Sequence, residues 1–355
     1  MANQICIAVI GCGRIAQNAH FPALAQIEGV RVKYACDIII EKAESMKETY
    51  SAFVENAIAD YNIALGDPEV EAVLVLTPNF THYTVTMDAL RAGKHVLCEK
   101  PITVNYELSV EMAEEAKKQN KVLNIGVCNR YQSSVEKLEQ MNREGAFGDI
   151  YHVYCAFRSF RSIPGLGGAF TTKAEAGGGV LIDWGIHFLD LILYILGDAK
   201  IKSVRAAAYS KMAADMSTYR YKNMWAEDTA NMIDGTNDVE DFVTGFICTD
   251  KATIAFNGSW AQNISQKEMY VDFLGDKSGA RLDYGGYYHL TSGETLETVT
   301  SDHELKNMYM LEDKAFFDSI RSGEKTKTHI DNILESMRLL DALYRSAETG
   351  EEIKL

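Results

Sequence analysis

Two side chains that can exchange protons, Asp183 and His187, stand four residues apart inside a long apolar run over residues 177–197. Residues i and i+4 of a helix share one face, so this spacing places the carboxylate beside the imidazole, with Asp190 further along the same stripe. An imidazole titrates near neutral pH and suits a general base. The pattern predicts a buried helix whose polar stripe must meet partners, water or a ligand.

The same helix has two other interpretations. A single histidine in an apolar helix is often a hydrogen-bonded core residue, and Asp183 could simply begin the helix. A membrane span is disfavoured, because an apolar run of about 17 residues falls short of the roughly 20 that a span requires and this one carries carboxylates. We therefore expect a core helix, whose role depends on the other motifs of the chain.

Length and charge restrict the class of protein. The chain has 355 residues, 47% of them hydrophobic, and a formal net charge of −15. This length exceeds what one hydrophobic core usually supports, which favours two domains. Nucleic acids and anionic membrane surfaces favour basic partners, so the acidic balance disfavours both.

The cysteines and the first residues indicate the compartment. Seven cysteines are scattered along the chain without a C-x-x-C pair or a cluster at metal-ligand spacing, so we expect buried free thiols. The opening residues lack a basic stretch that leads into an apolar signal core. Both features favour a cytoplasmic protein.

A glycine-rich loop follows the first predicted strand, Gln4 to Ile10. Residues 11–16 read GCGRIA and precede a helical pattern. Gly11 would permit the tight turn, Gly13 would let the backbone approach a pyrophosphate, and Ala16 would allow close packing of helix and strand. Glycines after a strand can also mark an ordinary turn. The contacts predicted for a dinucleotide in this loop are Gly11, Gly13, Arg14 and Ile15.

Asp37 strengthens the dinucleotide interpretation because it directly follows a second predicted strand, Val30 to Cys36. A carboxylate at this position binds the hydroxyls of the adenosine ribose and repels a 2′-phosphate. Ile38 and the next two residues are isoleucines and offer no arginine to a phosphate. We therefore predict that the cofactor is NAD rather than NADP, with Asp37 and Ile38 among its contacts.

Helices and strands alternate up to about residue 126, which is typical of parallel βαβ units. Ligands of such sheets bind beyond the carboxyl ends of the strands. Polar segments follow three predicted strands there, although each alone could be an ordinary turn or helix start. The additional cofactor contacts that they predict are Thr77, Pro78, Asn79, His82, Glu99, Lys100 and Asn129.

The second half of the chain has a different pattern, with predicted strands from residue 201 to 299 that are joined by turns. The predicted fold is therefore an α/β Rossmann nucleotide-binding domain, residues 1–126, plus an α+β domain with a large, mostly antiparallel open sheet, residues 127–355. One face of that sheet is expected to join subunits into a homodimer or homotetramer. The stretch 212–237 has weak periodicity and is expected to be a long loop.

Together these segments resemble the glucose-fructose oxidoreductase/inositol dehydrogenase family, also called Gfo/Idh/MocA. The likeness spans nearly the whole chain and rests on GCGRIA, Asp37, the TPN segment with His82, EKP at 99–101, and GGGVLIDWGIH at 177–187. The resemblance implies that Lys100, Asp183 and His187 are the catalytic residues. It also implies that Pro101 follows a cis peptide bond that holds Lys100 near the nicotinamide.

These residue types suit the oxidation of a secondary alcohol without a metal. His187 would accept the hydroxyl proton, Asp183 would orient the imidazole or hold the hydroxyl, and Lys100 would supply positive charge where alkoxide character develops. We predict an NAD-dependent dehydrogenase that oxidises a ring hydroxyl of a sugar, glycoside or cyclitol to a ketone. The further substrate contacts predicted are Tyr131, Arg158 and Lys173.

Two other functions would use the same motifs. An NAD-dependent glycosidase would oxidise its sugar transiently and accumulate no NADH. A non-catalytic sensor would keep only the nucleotide site, and the intact set of Lys100, Asp183 and His187 argues against it.

Overall fold

The computed structural model describes residues 4–355 except 104, 198, 222–233 and 303. The predicted loop at 212–237 therefore lies in part outside the described residues. The chain divides into two compact units, of which the first contains the described residues up to Tyr131 and Lys306–Leu334. The second contains Gln132–Leu305 and Glu335–Leu355.

The predicted division at residues 126 and 127 differs from these units, because it assigned no C-terminal segment to the first. The burial of Phe316 and Phe317 explains why a C-terminal segment belongs to the first unit. Both side chains are fully buried, and they belong to the same hydrophobic cluster as Ile7 and Phe21.

The first unit contains a parallel sheet in the order β3-β2-β1-β4-β5-β6. Central strands such as β1 are buried along their whole length, which explains their unbroken apolar sequences. The half-exposed edge strand β3 was not predicted, because glutamate and asparagine interrupt its apolar run. The strands are β1 Ile5–Ile10, β2 Val30–Cys36, β3 Val54–Ile58, β4 Ala72–Val75, β5 His95–Glu99 and β6 Leu123–Gly126.

Helices connect these strands, as the alternation predicted. Three α-helices of this unit begin at side-chain caps, where Asp60, Asn105 and Asn307 accept hydrogen bonds from backbone N–H groups of the first turn. The helical segments of this unit are Ala16–His20 (a π-helix), Phe21–Leu24, Ile40–Thr49, Tyr61–Gly66, Asn79–Arg91, Tyr106–Lys118 and Met308–Ser322, with 3₁₀ turns at Cys128–Tyr131 and Ile330–Asn332.

The second unit contains a nine-stranded sheet in the order β14-β13-β12-β11-β7-β10-β9-β8-β15. Its neighbours are antiparallel except for β7 and β10, which confirms the predicted mostly antiparallel sheet. The strands are β7 Ile150–Arg158, β8 Ile201–Tyr209, β9 Phe242–Thr249, β10 Thr253–Ser259, β11 Glu268–Gly275, β12 Ser278–Asp283, β13 Tyr288–Ser292, β14 Thr298–Thr300 and β15 Ile353–Lys354.

The apolar run of the second unit forms a helix with an irregular start. A π-helical turn, Leu181–Gly185, leads directly into an α-helix, Ile186–Ile195, and we call these two segments the site helix. Other helical segments of the unit are Ser133–Arg143, Lys173–Ala176 and Leu334–Thr349, with 3₁₀ turns at Ala169–Thr171 and Met216–Thr218. The segment Lys173–Ile195 is long and apolar enough for a membrane span, yet 78% of its most apolar window is buried within the fold, as in a core helix.

Candidate active site

The loop after β1 has the backbone geometry that its glycines predicted. Gly11 has a φ of +99°, and a Cβ there would lie 2.5 Å from the carbonyl oxygen of Leu76, so a side chain is excluded. A Cβ on Gly13 would meet no atom within 4 Å. The backbone at Gly13 is therefore open to a phosphate group. Arg14 begins the helical run, and Ile15 packs partly buried against the core.

Asp37 connects the end of β2 to this loop. Its Oδ2 accepts a hydrogen bond from the backbone N–H of Cys12 at 2.9 Å, and its Oδ1 accepts one from Ile39 at 2.9 Å. Each carboxylate oxygen has a further lone pair, so the group can also accept the hydroxyls of a ribose. Ile38 beside it is 89% exposed. The arrangement fits the adenosine end of NAD.

His82 joins two of the predicted ligand loops. Its Nδ1 lies 2.7 Å from the carbonyl oxygen of Pro101, and its Nε2 lies 2.7 Å from that of Thr77. Carbonyls only accept, so both ring nitrogens must donate and the imidazole must be protonated. Burial alone would lower the pKa of His82, but Cys98 and the two carbonyls raise it to about 9. His82, which the sequence predicts as a cofactor contact, thus uses both ring nitrogens to hold these two loops together.

The loop that carries Lys100 is anchored from the protein interior. The Lys100–Pro101 peptide is cis, as the resemblance implied. Glu99, buried and predicted as a cofactor contact, accepts the backbone N–H of Lys100 on Oε2 at 3.0 Å. Its Oε1 lies 3.1 Å from Nε2 of His20, and Nδ1 of His20 lies 2.9 Å from Oδ1 of Asp313. These contacts give Glu99 a supporting position beneath Lys100.

His20 and Asp313 are fully buried and were missed by the sequence prediction. Burial alone would lower the pKa of His20, but Asp313 and Glu99 raise it well above its usual value. A protonated imidazole between two carboxylates satisfies both ring nitrogens. Asp313 is 293 residues from His20 along the chain, so no spacing rule could have paired them.

The remaining predicted contacts of the first unit differ in how they are held. Neither atom of the buried Asn129 side-chain amide has a hydrogen-bond partner among the described residues, a cost that a ligand would remove. The other predicted contacts have partners within the protein. The hydroxyl of Tyr131 shares a hydrogen bond with that of Thr328, with 3.2 Å between their oxygens. The Thr81 hydroxyl donates to the Pro78 carbonyl at 2.8 Å, which leaves its oxygen to accept a hydrogen bond from the Thr77 hydroxyl at 2.7 Å. Asn79 is the first residue of the helix Asn79–Arg91.

In the second unit, glycines and the partly buried Glu240 fix the start of the site helix. A Cβ on Gly178 or Gly179 would overlap the Tyr344 hydroxyl or the Glu240 carbonyl. Glu240 accepts the backbone N–H groups of Gly179 and Leu181 at 2.9 and 3.0 Å. Burial raises the pKa of Glu240, against the effect of these N–H groups and of the Tyr344 hydroxyl. No sequence signal marked Glu240, because it lies far from the helix that it caps.

Asp183 and His187 lie where the site helix is partly exposed. Between residues 180 and 193, only Asp183, Trp184 and His187 are not buried. Oδ2 of Asp183 accepts a hydrogen bond from Nε1 of the buried Trp260 at 3.3 Å. The π-helical turn contains Asp183 and ends just before His187, and such turns often occur at functional sites. The helix therefore presents a carboxylate and an imidazole together.

The third member of the predicted polar stripe is structural. Asp190 is 1% exposed and accepts a hydrogen bond from the Ser336 hydroxyl at 2.6 Å. The prediction that a polar residue on this helix must have a partner is confirmed for Asp190.

Arg158 and Lys173, predicted as substrate contacts, each have a carboxylate partner. Arg158 ends β7 and forms an ion pair with Glu268 across the β7–β11 ladder. The ammonium of Lys173, which is 55% exposed, lies 3.2 Å from Glu348. A substrate would have to compete with these carboxylates for either cation.

Comparisons with known proteins cover both units. A model described as "Oxidoreductase family, NAD-binding Rossmann fold" matches residues 5–127, and one described as "GFO/IDH/MocA C-terminal domain" matches residues 135–281. D-glucoside 3-dehydrogenase of Escherichia coli (strain K12) is 30% identical over 100% of this chain and 98% of that protein. Inositol 2-dehydrogenase of Rhodococcus jostii (strain RHA1) is 25% identical over 99% and 93%.

A solved structure has the same fold over nearly its full length. Levoglucosan dehydrogenase, in complex with NADH and levoglucosan, matches with a TM-score of 0.84, 18% identity and 99% coverage of each chain.

Proposed function

Because this chain belongs to the Gfo/Idh/MocA family of oxidoreductases and uses NAD as its cofactor, we propose that it oxidises one ring hydroxyl of a sugar, glycoside or cyclitol to a ketone. Relatives named for D-glucosides and inositols support this substrate class. The observation that carries the proposal is the partly exposed pair of Asp183 and His187 on a mostly buried helix.

His187 acts as the general base in this proposal. An imidazole nitrogen accepts the proton of the reacting hydroxyl, and bound NAD supplies the acceptor for the hydride of the carbinol carbon. The O–H and C–H bonds break as the C=O bond forms, so the alcohol loses two hydrogens in all. Asp183, held by Trp260, orients the imidazole or accepts a hydrogen bond from the substrate.

Lys100 stabilises the negative charge that develops on the reacting oxygen. A fixed cation at this position lowers the energy of alkoxide character in the transition state. Support for this role comes from the anchoring of its backbone, since Glu99 holds the Lys100 N–H and is itself held by His20.

A polyhydroxylated ring suits this site better than a simple alcohol. A polar group left without a partner on substrate binding costs about 1 to 3 kcal/mol. Asp183 and His187 would lose hydration against an apolar alcohol, whereas a ring with several hydroxyls restores the hydrogen bonds. Arg158 and Lys173 already have carboxylate partners, which disfavours them as a clamp for an acidic substrate.

The test is to incubate purified protein with NAD and methyl β-glucoside, myo-inositol or cyclohexanol while NADH absorbance and product mass are recorded. We expect NADH formation with the glycoside or inositol and a product lighter by two hydrogens. Cleavage of the glycoside without NADH accumulation would instead establish a glycosidase. Equal efficiency with cyclohexanol would refute the polyol proposal.

We also propose that the open sheet face of the second unit joins subunits into a homodimer or homotetramer. Tyr154 of β7 and Phe246 of β9 flank Ala255 in register on this sheet, and both aromatic side chains are more than 40% exposed. Large exposed apolar groups in one row are typical of an interface. Light scattering should give at least a dimer for the wild type and a smaller species for Tyr154→Glu with Phe246→Glu.

The cytoplasm is the compartment that we propose for the protein. All seven cysteines are free and six of them are buried, as expected where thiols stay reduced. Fractionation of the native cells, with detection of the protein in the soluble cytoplasmic fraction, tests this assignment.

A further inference from the structure

A pocket of about 300 Å³ opens in the second unit next to the site helix. One wall is Trp184, which follows Asp183 and precedes His187 by three residues. Small-molecule sites span roughly 300 to 1,000 Å³, so this volume fits one ring-sized group. Its lining includes neither Asp183 nor His187.

Trp184 places the pocket beside the reacting group. Trp184 stands between Asp183 and His187 in the site helix, at the point where the π-helical turn passes into the α-helix. Trp184 is one of the three residues of this helical stretch that are not buried. A substrate with one hydroxyl at His187 would extend its next ring toward this indole.

The polar wall of the pocket is rigidly held. Ser159 and Ser162 are buried, and their hydroxyls share a hydrogen bond of 2.7 Å. The backbone N–H of Ser162 donates to the carbonyl of Trp260 at 2.8 Å. Trp260 also holds Asp183 through its indole, so one residue fixes both the pocket and the proposed catalytic carboxylate.

The lining defines the chemistry of the occupant. An aromatic face packs against the C–H face of a sugar ring, and hydroxyls bind the ring hydroxyls. Ser265 adds a hydroxyl to those of Ser159 and Ser162, and Lys267 adds the only charged group of the lining. The ammonium of Lys267 has no ion pair within the described part of the chain, which leaves it available as a donor. The lining contains no carboxylate.

We propose that this pocket is a subsite for a second sugar ring, the one joined by a glycosidic bond to the ring that is oxidised. The proposal rests on the proposed function and narrows its substrate class to disaccharide-like glycosides. Contacts with the second ring would stabilise the transition state relative to free enzyme and free substrate. They should therefore raise kcat/KM.

Kinetics with methyl β-glucoside and methyl β-cellobioside test the subsite. The wild type should use the cellobioside with at least about tenfold higher kcat/KM, the amount that one ring packed on an indole can contribute. Trp184→Leu should lose most of that advantage while its kcat/KM for methyl β-glucoside stays within about threefold. Lys267→Ala should lose part of the advantage, and Lys202→Ala, at an exposed position of β8, is the matched control.

Different results would refute the subsite and the proposed dehydrogenase function. Equal kcat/KM for the two glycosides in the wild type, or an equal loss on both in Trp184→Leu, would overturn the subsite and leave the dehydrogenase standing. Absence of NADH with every polyol would refute the proposed function itself. Lys267→Ala keeps the test decisive if Trp184→Leu folds poorly, because Lys267 is exposed.

Discussion

Nε2 of His20 lies 3.1 Å from Oε1 of Glu99, and the other oxygen of Glu99 accepts the backbone N–H of Lys100 at 3.0 Å. This contact links the proposed catalytic lysine to a buried imidazole in the helical segment after the glycine-rich loop. Asp313 completes the chain of contacts at 2.9 Å from the opposite ring nitrogen. The position of Lys100 thus depends on residues that touch neither cofactor nor substrate.

We predict that His20→Leu destabilises the protein by about 3 to 5 kcal/mol, because it leaves two carboxylates buried without their cation. Chemical denaturation measures this loss. His289→Leu is the matched control, since His289 also lies 2.9 Å from an aspartate but at an exposed site, and exposed pairs contribute about 0 to 1 kcal/mol. Equal losses in the two variants would contradict the buried charge bridge.

Glu312 gives a prediction for pH. Its carboxyl is fully buried, and neither oxygen has a hydrogen bond among the described residues. Burial, with Glu99 and Asp313 nearby, raises the pKa of Glu312 well above 4.5. An acid with a raised folded-state pKa contributes stability below its unfolded pKa and loses it as pH rises through the folded value.

Glu312→Met should therefore gain stability over the wild type as pH rises from about 4.5 to 7, reaching about 1 to 3 kcal/mol. Denaturation curves across this pH range provide the measurement. Glu312→Gln cannot titrate either, so it should remove the same part of the pH dependence of stability. Its gain in stability should be smaller than that of Glu312→Met. A difference between wild type and Glu312→Met that stays constant with pH would refute the raised pKa.

Asp37 and Ile38 give a prediction for cofactor choice. Asp37→Ser with Ile38→Arg removes the carboxylate that repels a 2′-phosphate and adds a cation to bind it, while the serine hydroxyl can still accept the Cys12 N–H. We expect the NADP to NAD ratio of kcat/KM to rise at least about tenfold. Ile38→Arg alone should shift it less. Comparable use of both cofactors by the wild type would show that Asp37 has another role.

Most strands were predictable because turn residues at both ends of an apolar run mark where the strand begins and ends. Val30–Cys36 has the predicted bounds, and Ile5–Ile10 begins one residue after the predicted start. The edge strand Val54–Ile58 was missed, since glutamate and asparagine interrupt its apolar residues. The return of Met308–Ser322 to the first core could not be predicted, because an amphipathic pattern shows which face is buried but not against what.

The site residues also include some that the sequence predicts and some that it does not. Gly11, Asp37 and the pair Asp183 and His187 follow from local motifs. His20, Asp313 and Glu240 act through contacts between distant segments, which sequence spacing does not encode. His82 was found by its motif, but its role required the two carbonyl contacts.

In the proposed reaction, His187 accepts the substrate proton and Lys100 stabilises the reacting oxygen. The most direct measurement is turnover of a methyl glycoside or inositol by His187→Ala and Lys100→Met, with NAD affinity measured in parallel and His152→Ala as the control. We predict that turnover falls at least about 10²-fold in each variant, while NAD binding stays within a few-fold and the control is unaffected. Near-normal turnover in both variants would contradict the catalytic assignment.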